Sequence, residues 1–209
     1  MNKSGILEQI LDRIESFKSE EAFAASDFAD IAEPDSVWQA LSRLERSGKI
    51  QRAFRGIYYK PQFSFLLGEY EAPSPHNVAL ALARKFNWTI APSGNTALNL
   101  LGLSTQVSAK WSYISDGPYN NYTIGSVTLE FKRRSNKDIS GLSYKTALVI
   151  QALRTLGKNN VKNSDLKKIR EFLTNKERET LLNESRQTTA WIYSYIKKIC
   201  LPGENSCIQ

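Results

Sequence analysis

Ile6, Leu7, Ile10, Leu11, Ile14 and Phe17 recur every three to four residues, the stripe of an amphipathic helix over residues 5–18 with Ser4 placed to cap it. Ser26 and the apolar pair Phe28 and Ile31 predict a short second helix over 26–31. Pro34, suited to a first helical turn, opens a third that runs to Ser47 and stops at Gly48. Beyond Gly48 the period changes. Ile50-Gln51-Arg52-Ala53-Phe54 and Ile57-Tyr58-Tyr59-Lys60 predict two strands turning at Arg55-Gly56, with Pro61 ending the second.

Residues 62–74, ending in Glu71-Ala72-Pro73-Ser74-Pro75, have the composition of a linker. A continuous Ala/Leu/Val run then predicts a buried helix over 75–86. Mixed structure follows: strands at 88–91 and 111–115 with a short helix at 96–101 between them, and strands at 122–124 and 127–131 flanking a Gly125-Ser126 hairpin turn. The remainder is helical. One helix spans 144–156 and ends at Gly157, Ser164 or Asp165 caps the next, Thr174 and Glu177 have capping-box spacing, and a last helix covers 189–200. The pattern predicts an α+β protein: a winged helix-turn-helix at 1–62, a linker at 63–73, a larger mixed domain with a helical C-terminal part at 74–201, and a tail at 202–209.

Charge sharpens this picture. The chain carries a net +7 over 209 residues, which favours a polyanionic partner. Residues 1–72 hold nine basic and twelve acidic residues, whereas 73–209 hold nineteen and nine. Within the acidic first part, Arg43, Arg46, Lys49, Arg52, Arg55 and Lys60 face only Glu45 in the segment 43–60. At about 100° per residue, a third helix that buries Val37, Leu41 and Leu44 turns Ser36, Gln39, Arg43 and Arg46 outward. Arg donates two hydrogen bonds to guanine and Gln pairs bidentately with adenine, and the third helix of this motif enters the major groove. Arg52, Arg55 and Lys60 around the hairpin suit phosphate contacts that set register. Lys132-Arg133-Arg134 form a second basic run, available for nucleic-acid contact by the second domain.

Other chemistry is thinner. Cys200 and Cys207 lack metal-ligand spacing and predict reduced thiols, not a disulfide or a metal site. His76 sits at a helix start, where a surface role outweighs general-base catalysis, and the absence of GxGxxG and P-loop motifs indicates no nucleotide cofactor. Asp116 with Glu130 and Lys132 has the loose spacing of a Mg²⁺-dependent PD-(D/E)xK nuclease. Tyr58, Tyr59, Tyr119 and Tyr122 are the stacking candidates for an RNA-binding alternative. Trp38, Trp88, Trp111 and Trp191 are expected as core. With no apolar run long enough for a bilayer and no leader, a cytoplasmic, non-enzymatic protein is expected.

Several segments also resemble the AbiEi-like, DUF6088-type family: Gln39-Ala40-Leu41-Ser42-Arg43-Leu44, Gly48-Lys49-Ile50-Gln51-Arg52, Arg55-Gly56-Ile57-Tyr58-Tyr59, Pro92-Ser93-Gly94, Leu101-Gly102-Leu103-Ser104-Thr105-Gln106, Ser115-Asp116-Gly117-Pro118 and Ala147-Leu148-Val149-Ile150-Gln151-Ala152-Leu153. The first three occur in many winged-helix repressors, and the last four together are more distinctive. The resemblance implies a winged helix-turn-helix fused to an antitoxin domain in a phage-defence toxin–antitoxin system. Its first domain would bind double-stranded DNA as inverted repeats at its own promoter, and its second would oppose a nucleotidyltransferase toxin.

Overall fold

A computed structural model describes residues 5–18, 20–66, 68–106, 108–134 and 141–201. Ser4, expected as a cap, Cys207 and the tail 202–209 lie outside them. The chain forms two compact units, one of 1–88 with 123–126 and one of 89–122 with 127–209.

The first unit opens with α1 (Ile6–Ser16), whose Ile10 and Ile14 are fully buried as the stripe requires. Gly5 precedes it, and the Glu8 carboxylate accepts from the Gly5 amide at 3.1 Å, satisfying one free donor of the helix start. The expected second helix is only a 3-10 turn, Ala25–Phe28. Before it stands a two-residue strand that the apolar run 22–25 conceals, β1 (Ala22–Phe23). The third helical segment forms as α2 (Pro34–Arg46), followed by β2 (Gln51–Phe54) and β3 (Ile57–Tyr59). The strands make an antiparallel sheet in the order β1-β3-β2, with Phe23 opposite Tyr58, Arg52 opposite Tyr58, and a register shift between Arg52 and Phe54. Phe23 and Phe28 meet edge to face at 5.6 Å above Ile14, Leu41, Leu44 and Ile50 in one core.

Two differences from the sequence pattern follow. Residues 62–73 contain a hairpin, β4 (Gln62–Ser64) with β5 (Glu69–Glu71), where a linker was expected. Helix α3 (Pro75–Phe86), expected to begin the second domain, packs within the first unit. Its Arg84 clasps Asp27 through Nε at 3.1 Å and donates to the Ala22 carbonyl at 2.8 Å, and Val78 and Leu82 are fully buried. The apolar run could signal burial but not which unit supplies the covering surface.

The second unit is a mixed sheet, β6 (Ile90–Ser93), β7 (Lys110–Ser115), β8 (Asn120–Ile124) and β9 (Val127–Arg133), ordered β6-β7-β9-β8. β6 and β7 run antiparallel, β7 and β9 parallel. Pro92 is tolerated because β6 is an edge strand. Helix α4 (Asn95–Leu100) follows β6, and α5 (Tyr144–Leu156) is buried at every position from Thr146 to Leu153, the expected fate of a helix apolar on all sides. Around it pack α6 (Asn163–Phe172), α7 (Asn175–Glu184) and α8 (Ala190–Cys200), which contribute Ile169, Leu181, Ile192, Ile196 and Ile199. The Thr174–Glu177 capping box forms in both directions, at 2.9 and 3.3 Å. Helix α6 begins a residue before Ser164, and Asp165 accepts from the Lys162 amide instead of standing at the cap. The architecture is α+β.

Candidate nucleic-acid interface

The helical period of α2 does what its sequence requires: Val37, Ala40, Leu41 and Leu44 go inward, while Gln39, Arg43 and Arg46 are exposed and Ser36 is half-buried. Arg43 and Arg46 also occupy the last turn, where the helix dipole favours cations.

The β2–β3 hairpin lies along one flank of this helix. Arg52 donates to Glu45 at 2.7 Å, and its guanidinium sits 5.6 Å from the Tyr58 ring centroid. Hydrogen bonding to Glu45 raises the Arg52 pKa, so the group is a fixed cation. At the turn, a Cβ on Gly56 would meet Trp38 Cη2 at 3.4 Å, so the indole of α2 rests against the hairpin tip. Gly56 has φ +76°, a conformation that a Cβ disfavours.

Of the seven residues expected to contact DNA, Ser36, Gln39, Arg43 and Arg46 share the outward face of α2, and Arg55 is exposed at the turn. Two are committed elsewhere: Arg52 to Glu45, and Lys60 to Glu15 of α1. Two further cations of the unit are paired with acids, Arg13 with Asp30 and Arg84 with Asp27. Among the described residues, Arg43, Arg46 and Arg55 have no carboxylate partner.

Trp38, expected as core, is 44% exposed on this flank. On the helical wheel it lies about 60° from Leu41 and about 100° from both Val37 and Gln39, at the border of the apolar stripe, so the pattern alone does not separate core from surface. Trp88, Trp111 and Trp191 are half-buried. His76 is also half-buried, and burial lowers its pKa, favouring neutral imidazole.

The second basic run is less open. Glu130, only 4% exposed, receives Lys110 at 2.8 Å, Lys132 at 3.1 Å, Ser112 Oγ at 2.9 Å and the Tyr119 hydroxyl at 3.2 Å. Desolvation alone would raise its pKa, but the bonds from Lys110, Lys132 and Ser112 prevail and bring it to about 2. Arg133 and Arg134 remain exposed.

Glu130 and Lys132 therefore meet, as a nuclease spacing asks, but Asp116 stands elsewhere. Ser112 pairs with Glu130 and Ser115 with Arg133, so Asp116 lies four residues along the ladder, about 13 Å away. Its carboxylate accepts from the Thr89 amide at 2.8 Å. No group of three or more His, Cys, Asp or Glu residues able to hold a metal occurs among the described residues. Of the four tyrosines proposed for stacking, Tyr58 is buried, Tyr59 donates to Gln51 at 2.6 Å, Tyr122 is half-buried and Tyr119 is exposed.

A family model described as a family of unknown function, DUF6088, matches residues 9–181. The chain belongs to the DUF6088 family. No curated protein matches it. Among solved structures, it is similar to the crystal structure of the RV2827C protein from Mycobacterium tuberculosis, at 12% identity and a TM-score of 0.40, covering 93% of this chain and 76% of that one. The DUF6088 match spans α2, the hairpin and the β6–β9 sheet, so both basic regions belong to the family segment. Among the described residues of this DUF6088 protein, no helix is long and apolar enough to cross a membrane.

Proposed function

We propose that the first unit is a winged helix-turn-helix that binds duplex DNA, and that the protein is the self-repressing antitoxin of an AbiE-like toxin–antitoxin pair. One observation carries the DNA reading. Arg43 and Arg46 on the outward face of α2 and Arg55 at the hairpin turn lack acidic partners among the described residues, while Arg13, Arg52, Lys60 and Arg84 of the same unit are paired. Uncompensated arginines and a glutamine on one helix face are the groups that read base edges. The order α1, β1, 3-10 turn, α2, β2, β3 supplies a helix to enter the major groove and a hairpin beside it.

In this reading Ser36, Gln39, Arg43 and Arg46 contact bases, Arg55 contacts phosphate, and occupancy of inverted repeats at the protein's own promoter blocks transcription. Arg52 and Lys60, expected as phosphate contacts, serve first to hold the hairpin against α2 and α1, because their partners Glu45 and Glu15 already use their charges. The antitoxin role rests on the motifs of the second unit: Pro92-Ser93-Gly94 ends β6 and leads into α4, and Ala147–Leu153 forms the buried centre of α5.

Arg43→Ala tests the DNA reading by fluorescence anisotropy. Binding to the upstream duplex is expected to weaken by roughly 1–3 kcal/mol with little change on random duplex. Equal losses on both would contradict base readout. Coexpression with the product of a neighbouring nucleotidyltransferase frame tests the antitoxin role. Restored growth is expected, and continued arrest would contradict it.

A further inference from the structure

The hairpin turn is not built by the hairpin alone. Lys85, in the last turn of α3, extends its ammonium to the Arg55 carbonyl at 3.3 Å. A Cβ on Gly56 would meet that Nζ at 2.6 Å and the Trp38 indole at 3.4 Å. Three elements separated in sequence, α2, the β2–β3 turn and α3, thus converge on one glycine.

Glycine at this position is what lets a lysine from α3 reach the turn. Among the described residues, Lys85 and its neighbour Arg55 have no carboxylate partner, in contrast to Arg84 one position earlier, which is held by Asp27. The ammonium rests on one backbone carbonyl and 5.3 Å from the Phe86 ring centroid. Burial, with Arg55 close by, lowers its pKa. Two neighbouring cations without an acid repel each other, and an anion at the turn relieves that repulsion.

We propose that Lys85 is a further phosphate-binding residue of the duplex-binding face, positioned by Gly56 and Trp38 so that it and Arg55 grip the DNA backbone together. The proposal rests on the duplex-binding reading above and adds α3 to the DNA-contacting surface. The partner is the phosphate backbone of duplex DNA, so the contact strengthens binding without specifying sequence.

The test compares full-length wild type, Lys85→Ala, Lys85→Met and Lys85→Arg on two labelled duplexes, the sequence upstream of the reading frame and its scramble, across a salt series. Lys85→Met keeps the aliphatic stem and removes only the charge. Both neutral variants are expected to bind each duplex on the order of fivefold more weakly, equally on the two sequences. The slope of log affinity against log salt is expected to become shallower by about 0.9, one phosphate contact, with Lys85→Arg keeping the wild-type slope. An unchanged slope in both neutral variants would overturn the proposal even if affinity fell, because a merely structural lysine does not alter the number of ions released. The two readings fail separately. Wild-type preference for the upstream duplex with an unaltered Lys85→Met slope overturns the Lys85 assignment alone, whereas a shallower slope without sequence preference overturns the repressor reading alone. Absence of duplex binding by wild type overturns both.

Discussion

Gly56 and Glu130 each decide a local arrangement by what they exclude or attract. At Gly56 a side chain would face both a left-handed backbone and the Lys85 ammonium. Gly56→Ala is therefore expected to destabilise the first unit by about 1–2 kcal/mol in chemical denaturation and to weaken duplex binding. Unchanged stability would show that the turn tolerates a Cβ. Glu130 draws two lysines, a serine and a tyrosine around a nearly buried carboxylate. Its folded pKa of about 2 lies below the ordinary 4.5, so its contribution to stability is present above pH 4.5 and is lost as pH falls toward 2. Thermal unfolding between those values is expected to show a steeper loss of stability in wild type than in Glu130→Gln, and parallel profiles would contradict the assigned coupling. The sequence revealed this site only in part. The two-residue spacing of Glu130 and Lys132 was legible as a shared strand face, but Lys110 and Ser112 join it through the parallel β7–β9 ladder, a pairing no local pattern encodes.

Helices announced themselves best. α1, α2, α3 and α5 stand where apolar periodicity or a continuous apolar run put them, because each has enough turns for its pattern to repeat. The two-residue β1 was hidden, since two positions cannot show alternation and it falls in the unassigned stretch between the two expected helices. The β4–β5 hairpin was hidden for a different reason. It keeps Phe65 and Leu66 93% and 94% exposed, so it has no inward stripe to detect. Phe63 and Tyr70, paired across the strands, instead form a small aromatic contact at 5.4 Å. Replacing both Phe65 and Leu66 by serine is expected to change unfolding free energy by less than about 0.5 kcal/mol, as for residues that bury little surface. A large loss would mean that the tip is covered. Helix α3 gives the opposite expectation. Arg84→Ala removes its clasp on Asp27 and Ala22 and should cost about 1–2 kcal/mol, read from denaturation curves. No change would contradict the placement of α3 in the first unit's framework.

Across the whole chain, the net charge of +7 conceals an uneven distribution, and the structure separates cations that brace from cations that remain available. Sequence could count the cations of segment 43–60 but could not divide them, because Glu15, which holds Lys60, lies some forty-five residues away on α1. Division into two units was likewise legible only in outline. The boundary falls after α3 instead of before it, as the surface burying Val78 and Leu82 belongs to the first unit. The central claim is that the available cations serve sequence-selective duplex binding. A gel-shift titration of the full-length protein addresses it most directly, against the upstream duplex, its scramble and the same upstream DNA as single strands, each with and without Mg²⁺. The account predicts selective retardation of the upstream duplex, indifferent to Mg²⁺. Equal retardation of all three, or Mg²⁺-dependent cutting that Glu130→Ala abolishes, would contradict it.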